Sequence, residues 1–339
     1  MLSLQDALNG IRATQVDYFE ANLKELQYAG GNCVKIGMDT YELASDAWRT
    51  LCRYSNVPHD LLPQLGRGLG QLVLRCLNAN GRRAKGVPEE FRLSCDDKGQ
   101  ILTIAPSHLV RLTNPEITQI IEEIMPADII SETLYAKSHL TQTAFELNIY
   151  TEQLSVEPRK GDILYGGVSI RHSQAGIFPT VVLGYIHRLI CTNGMTQRIC
   201  LAGKPARTKR SKAQNSKEPV VNAIREQIQH AFVQLEDRLR GIKELTKHRL
   251  DISDLPESLR RRWSINKRVA AEIAVALNND ELGRTYTEYD LVNALSRVAT
   301  HSRQLAQRYQ RHLSLAAGMF AQHHIHQCPQ CGTWLRNAN

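Results

Sequence analysis

The chain has 339 residues, of which 42% are apolar and 22% charged, and its formal net charge is +8. It contains no run of about 18 apolar residues, so no membrane span is predicted. The first ten residues, MLSLQDALNG, lack a basic stretch followed by an apolar one, and the eight cysteines show no disulfide spacing apart from the last two. These features favour a cytoplasmic protein with reduced thiols. The positive charge favours a polyanionic partner.

The first part of the chain shows three candidate helices. Residues from Leu2 to about Gly30 read as an amphipathic helix or arm that ends at a Gly-Gly pair. The apolar positions from Asp39 to Asn56 recur at near-helical spacing, and a leucine-rich segment from Pro58 to Leu77 follows. We therefore expect helices here rather than strands.

A short hairpin and a further helix follow. Phe91 to Cys95 and Ile101 to Ala105 are apolar runs on either side of an Asp-Asp-Lys-Gly turn. The segment from Pro115 to Met125 predicts a helix with Asn114 as its N-cap and proline in the first helical position. Thr141 to Thr151 alternates between apolar and polar residues, which predicts a half-buried strand.

The next stretch predicts the centre of the fold. Asp162 to Arg171 and Thr180 to Cys191 are rich in alternating apolar and β-branched residues, and Met195 to Leu201 follows an Asn-Gly pair. Asn-Gly between apolar runs is a strong hairpin signal, because both residues adopt positive φ at low cost. We predict an α+β protein with an antiparallel β-meander and helices, followed by an all-helical C-terminal region.

Polar residues are concentrated on the predicted meander. Two interpretations stay open: these residues form the solvated face of the sheet, as is common for antiparallel sheets, or they bind a polyanion or a small polar ligand. The residues are Asp162, Arg171, His172, His187, Arg188 and Asn193.

A basic segment, residues 203–219, follows the meander. It has no large apolar side chain and one acid, Glu218, so it is predicted to be a loop or arm that buries no core. Its cations either contact nucleic acid or serve as a solubilising linker. They are Lys204, Arg207, Lys209, Arg210, Lys212 and Lys217.

The C-terminal region is predicted to be helical. A long amphipathic helix spans Val220 to Leu250, and further helices span Ile265 to Leu277 and Glu288 to Met319, the last with Thr285 or Thr287 as its N-cap. We therefore divide the chain into an α+β core (1–202), the basic segment (203–219), a helical region (220–322) and a tail (323–339).

The tail carries a candidate zinc site. Cys328-Pro-Gln-Cys331-Gly has the spacing of a zinc knuckle, in which both thiolates reach one metal. Zinc needs further ligands, so His323, His324 or His326 would complete the site, or another subunit would supply a ligand. The alternative is a tail with two unpaired thiols.

Several segments resemble a known family. GDILYGGVSIRHSQAG is followed by Tyr185, Arg188-Leu189, Cys191 and Asn193-Gly194-Met195, and AWRTLCRYSNVPHDLLPQL and ILTIAPSHLVRLTNPEITQII lie upstream. From about Lys35 to Leu201 the chain resembles the phage- and plasmid-borne proteins of domain of unknown function 932. Ala105-Pro106-Ser107 departs from the family's turn. The resemblance implies a mobile-element context and no settled activity.

Three functional hypotheses follow. The first is sequence-independent binding and annealing of single-stranded DNA by a homo-oligomer, because the β-β-β-α order is similar to the core of phage single-strand annealing recombinases. Arg171, His172, His187, Arg188 and the basic segment would contact the backbone, and the rings available for stacking are Tyr165, Phe178 and Tyr185.

The second hypothesis is a metal-dependent nuclease or other phosphodiester hydrolase. Asp162, His172 and His187 would supply an acid and two imidazoles. No catalytic spacing signature supports it, so the sequence favours a protein that is not an enzyme. The third hypothesis is a non-catalytic oligomeric factor of phage defence or counter-defence.

Overall fold

The computed structural model describes residues 2–14, 16–22, 25–55, 90–125, 134–189, 196–200, 205–206, 217–278, 285–302, 305, 307–322, 325–327 and 334–336. Antiparallel sheets and helices build the molecule, so the α+β prediction is confirmed. Among the described helices, none combines the length and the apolarity needed to cross a bilayer.

Helices are concentrated in the C-terminal half of the chain, as predicted. The described helices are α1 Leu4–Ala13, α2 Ser45–Ser55, α3 Asn114–Ile124, α4 Glu218–Glu244, α5 Leu255–Trp263, α6 Lys267–Asn278, α7 Glu288–His301 and α8 Gln307–Gln322.

All but two of the described strands lie within the first 206 residues. The described strands are β1 Leu2–Ser3, β2 Asp17–Asn22, β3 Leu26–Gly30, β4 Cys33–Ile36, β5 Asp39–Glu42, β6 Glu90–Cys95, β7 Ile101–Pro106, β8 Leu134–Leu140, β9 Phe145–Arg159, β10 Asp162–His172, β11 Thr180–Leu189, β12 Thr196–Cys200, β13 Pro205–Ala206, β14 Ile325–Gln327 and β15 Trp334–Arg336.

The central sheet is the predicted meander. Its order is β1-β8-β9-β10-β11-β12, with β13 also paired to β11, and its pairings are antiparallel. Strand β9 is longer than predicted. It continues to Arg159 because a bulge opposite Tyr165 and Gly166 lets the pairing resume beyond the irregularity.

One face of the meander packs against α4. The alternating side chains Leu164, Val168 and Ile170 are fully buried, as are Ile224 and Ile228 of the helix. Each such side chain contributes about 1.5–3 kcal/mol by leaving water. The alternation predicted for β10 therefore positions the long helix across the sheet.

The C-terminal helices continue this core. Leu239 and Ile242 in the second half of α4 share a cluster with α5 to α8 and with Leu164 of the sheet. The predicted helix from Glu288 to Met319 is wrong in one respect, because α7 ends at His301 and α8 begins at Gln307. The predicted N-cap Thr287 is confirmed, and Asp290 completes its capping box.

The N-terminal part differs most from prediction. Residues 2–30 do not form one helix: α1 ends at Ala13, and β2 and β3 follow because they find partners in β6 and β4. Residues 39–42 are strand β5, and α2 begins at Ser45. Trp48, Leu51 and Phe91 lie in the cluster that joins these elements.

The predicted N-cap of α3 is wrong, and two other predicted features cannot be compared with the structure. The N-cap of α3 is Thr113 rather than Asn114, because the Thr113 hydroxyl accepts from the Glu116 N–H and Glu116 completes a capping box. The predicted helix from Pro58 to Leu77 and the Asn193-Gly194 turn lie outside the described residues.

Candidate functional site

The polar residues of the meander do not share one surface. Arg188 pairs across from Leu164 and so lies on the α4 side of the sheet. His187 pairs across from Tyr165, on the opposite side, because successive strand residues alternate. The predicted set is therefore split between the two faces.

Arg188 is held inside the protein. Its Nε and Nη2 donate to the two carboxylate oxygens of Asp162 at 2.6 and 2.8 Å, and the Tyr289 hydroxyl donates to Asp162 at 2.7 Å. Burial is the main reason why the pKa of Tyr289 is raised, so its hydroxyl keeps the proton and donates. This network connects the meander to α7, and Arg188 is paired with Asp162 within the protein.

His187 belongs to a buried aromatic cluster. Its ring stacks on Tyr150 at 4.1 Å with an interplanar angle of 14°, and the Tyr185 hydroxyl lies 3.2 Å from its Nδ1. Tyr165 stacks on Tyr150 from farther away, at 6.1 Å. Tyr150, Tyr185 and His187 are all less than 5% exposed, so the cluster acts as packing on this side of the sheet.

His172 is also buried. Its Nε2 lies 3.0 Å from the Leu112 carbonyl, which only accepts, so Nε2 carries the proton and Nδ1 accepts from the Thr180 hydroxyl at 2.9 Å. Burial lowers its pKa to about 4, so the ring is neutral near pH 7. Both ring nitrogens are engaged within the protein.

The candidate hydrolase residues are not brought together. Asp162 and His172 are the first and last residues of β10, which places them about 33 Å apart at roughly 3.3 Å per residue. His187 lies on the face opposite to the Asp162 network. Within the described ranges, no three or more His, Cys, Asp or Glu side chains form a group that could hold a metal ion.

A cleft of about 730 Å³ lies between α2 and the loop that joins β10 to β11. Strands β6 and β7 and the segment 109–112 form its floor. Among the described residues that line it, the charged side chains are four arginines and one aspartate: Asp46, Arg49, Arg53, Arg92 and Arg111. We call this the arginine cleft.

Helix α2 forms one wall because its two faces differ. Trp48 and Leu51 point into the N-terminal core, whereas Arg49 and Arg53 lie on the other face, four residues apart, and are exposed. Arg49 donates to Asp46 at 3.1 Å in an exposed pair, which contributes little and leaves the arginine accessible.

Arg92 and Arg111 are held mainly by backbone carbonyls. Arg92 donates to Leu109 O at 3.3 Å and to Ser107 O at 3.2 Å, and Arg111 donates to Gln174 O at 3.0 Å. Burial, the largest cause, lowers the pKa of Arg111. These carbonyls accept hydrogen bonds from the two guanidinium groups without cancelling their charge, so the cleft stays positive.

One atom of Arg92 is unsatisfied. Its Nε is buried and has no hydrogen-bond partner among the described residues. Its nearest acid, Glu20, lies 3.5 Å from Nη2. A buried donor without a partner costs about 1–3 kcal/mol.

A smaller pocket of about 270 Å³ adjoins the arginine cleft and shares Arg92 and Arg111 with it. The guanidinium of Arg111 lies 4.0 Å from the Tyr18 ring centre. Lys217, the described end of the basic segment, also lines this pocket and pairs with Glu116 at 2.6 Å. Burial alone would raise the pKa of Glu116, but hydrogen bonds from Lys217 and Thr113 lower it.

Two further predicted ligands lie near the cleft. Phe178 lines it, and the Arg171 guanidinium covers the Phe178 ring at 3.7 Å. Burial, the largest cause, and Arg311 lower the pKa of Arg171. Arg171 thus supports the cleft through Phe178.

The remaining predicted site residues lie outside the described ranges, apart from the backbone of His326, which belongs to β14. They are Lys204, Arg207, Lys209, Arg210, Lys212, His323, Cys328 and Cys331.

Sequence reasoning missed the four arginines of the cleft. Arg92 between the buried Phe91 and Leu93 was a usable signal, because an arginine in an apolar strand needs a reason. The spacing of Arg49 and Arg53 also marks one helix face. Nothing local in the sequence indicates that these residues meet.

Comparison with known proteins gives no match: no family model, no curated protein and no solved structure matches the chain. The resemblance to domain of unknown function 932 therefore stays a prediction based on its quoted motifs.

Proposed function

We propose that the protein binds single-stranded nucleic acid, in the first instance DNA, without base specificity, and that the arginine cleft is the contact surface. The observation that carries this proposal is the excess of arginine over acid in a cleft that also has apolar lining residues. Cations that neutralise phosphates release counterions and so supply affinity for any sequence.

The rings in the cleft favour nucleic acid over other polyanions. Tyr54 and Phe178 line it together with the arginines. Sequence-independent single-strand binders combine a positive groove with rings on which bases stack. A duplex keeps its bases paired inside the helix, so a strand with unpaired bases fits this surface better.

The basic segment belongs to the same proposal, because Lys217, its last cation, lines the pocket that adjoins the arginine cleft. We expect the combined substitution of Lys209, Arg210 and Lys212 by alanine to weaken binding and to reduce its salt dependence, because three cations are lost. Unchanged affinity and salt dependence, measured by fluorescence anisotropy, would remove the segment from the proposal.

Annealing and self-association belong to the same proposal. The meander is followed by the long helix α4, which supports a β-β-β-α core like that of the single-strand annealing recombinases of phages. A homo-oligomer would hold two strands at once. Light scattering and an annealing assay with two complementary oligonucleotides test this proposal, and a monomer without annealing activity would limit the function to binding.

The decisive variants remove two exposed arginines from the cleft. We expect Arg49→Ala with Arg53→Ala to lower the affinity for single-stranded DNA about ten-fold at low salt, since each contact to a phosphate is lost. The matched control replaces Arg260 and Arg261 of α5, which are 53% and 77% exposed, and removes the same charge.

In the anisotropy assay, the control should bind as the wild-type protein does. If both double variants lose the same affinity, net charge and not the cleft drives binding. If the wild-type protein binds neither single- nor double-stranded DNA at low salt, the proposal falls.

A further inference from the structure

We infer that the arginine cleft holds nucleotides with their phosphates on the arginines of α2 and their bases turned inward against the loop 176–179. This inference rests on the proposed function and adds to it that the bases, as well as the phosphates, contact the protein. It follows from the two unlike walls of the cleft and from its floor.

The cationic wall has the geometry of a backbone contact. Arg49 and Arg53 are separated by one helical turn, so their Cβ atoms are about 5–6 Å apart. The Arg49 side chain is 62% exposed, and Arg53 is also exposed. Two cations in a row along a helix suit successive phosphates of an extended strand.

The opposite wall is apolar and reaches into solvent. It is the loop Gly176-Ile177-Phe178-Pro179, in which Ile177 is 44% exposed. Gly176 has φ +75°, and a Cβ there would lie 3.1 Å from the Ala105 side chain, so glycine sets the path of the loop. An exposed apolar lip that lines the same cleft as the arginines suits a planar ring attached to a phosphate.

Phe178 is the ring best placed to stack on a base. It lines the cleft, and the Arg171 guanidinium packs on it at 3.7 Å and fixes its position. Arginine on one ring face and a base on the other are compatible, because the cation–π contact and the stacking contact each use a separate face.

The floor explains why the base would not be read. The hydroxyl of Thr103 donates to Ala175 O at 3.2 Å, and both nitrogens of His172 are engaged. The neighbouring lining residues Ile104, Pro106 and Leu109 are apolar. These side chains offer stacking and burial to any base, so the cleft binds bases without distinguishing them.

The size of the cleft limits how much it can hold. A volume of about 730 Å³ falls within the range of roughly 300–1,000 Å³ of small-ligand sites. It therefore encloses one or two nucleotides, and the rest of a longer strand would run over the surface.

The experiment compares an oligothymidylate with an abasic oligonucleotide of the same length. Both carry the same phosphates, but only the first offers bases. We expect the wild-type protein to bind the oligothymidylate about ten-fold more tightly, which is the usual effect of one stacked base. Phe178→Ala should lose this preference and keep its affinity for the abasic strand, whereas Phe178→Tyr should retain the preference.

A matched control removes an exposed apolar side chain elsewhere. Val233 of α4 is 76% exposed, and Val233→Ala should behave as the wild-type protein does. Equal wild-type affinity for the two oligonucleotides would overturn the inference and leave the proposed function standing. Phe178→Ala losing affinity for both strands equally would also overturn it, because Phe178 would then act only through the fold. If the wild-type protein bound neither oligonucleotide, both this inference and the proposed function would be refuted.

Discussion

His172 is 3% exposed. This burial is the main reason why its pKa is lowered to about 4. In the unfolded chain its pKa returns to about 6.5. Between these values the unfolded state binds more protons than the folded state, so the free energy of unfolding falls as the pH drops from about 6.5 towards 4. The change should be on the order of 3 kcal/mol.

The variant His172→Gln tests this assignment, because glutamine can replace both hydrogen bonds and does not titrate. Urea denaturation of the wild-type protein and the variant at pH 7 and pH 4.5 should show that the free energy of unfolding falls less in the variant. His301, whose pKa burial also lowers, contributes equally to both and cancels. An identical pH dependence would mean that His172 is not the group responsible.

Gly167 shows how one residue without a side chain determines the meander. A Cβ at this position would lie 1.9 Å from the Ile149 carbonyl oxygen on the neighbouring strand. We expect Gly167→Ala to lower the free energy of unfolding by about 3 kcal/mol, because backbone must move. Gly10→Ala in α1 is the control, with nothing within 4 Å of the added atom. It should be neutral or stabilise by about 0.5–1 kcal/mol, and equal effects in the two variants would contradict the close approach.

At the scale of elements, the network of Asp162, Arg188 and Tyr289 ties β10 and β11 to α7. Removing the charge by Arg188→Met should cost about 3 kcal/mol, because Asp162 keeps a largely buried charge without its cation. Tyr289→Phe should cost about 1 kcal/mol.

Because both groups act on the same carboxylate, their effects should not add. A double-mutant cycle by urea denaturation measures the coupling, and strictly additive losses would show that the two contacts are independent. Arg240→Ala, in an exposed pair on α4, should change stability by less than about 0.5 kcal/mol and serves as the control.

The predicted zinc motif, Cys328 to Cys331, lies in the sequence between two short strands. Strands β14 and β15 pair antiparallel, with Gln327 opposite Trp334, on either side of the Cys328–Cys331 motif. We expect purified protein to carry zinc, and Cys328→Ser with Cys331→Ser to lose it, because the thiolates are the anionic ligands. Metal analysis tests this, with Cys33→Ser in β4 as the control, and wild-type protein without zinc would contradict it.

The elements differ in how far the sequence predicts them. The meander was predictable because its apolar residues alternate over long strands. Strands β2 and β3 were not, because short aromatic segments fit helix and strand equally and their partners, such as β6, lie far along the chain. The arginine cleft was not predictable, because α2, the β6–β7 floor and the 173–180 loop come from three separate parts of the chain.

At the scale of the whole molecule, α4 connects the parts. Its first half shares a core with α1, α3 and the sheet, and its second half shares a core with the C-terminal helices. Its N-terminal end begins beside Lys217, next to the pocket that adjoins the arginine cleft. Lys217, the last cation of the basic segment, thus lies beside the pocket that adjoins the arginine cleft.

The most direct test of the arginine cleft is the salt dependence of single-strand binding. Each phosphate contact contributes about 0.7 to the slope of log K against log salt. The slope of the Arg49→Ala/Arg53→Ala protein should therefore be shallower than that of the wild-type protein by about 1.4, whereas the Arg260→Ala/Arg261→Ala protein should keep the wild-type slope. Identical slopes for the wild-type protein and the cleft variant would contradict the assignment of the cleft as the contact surface.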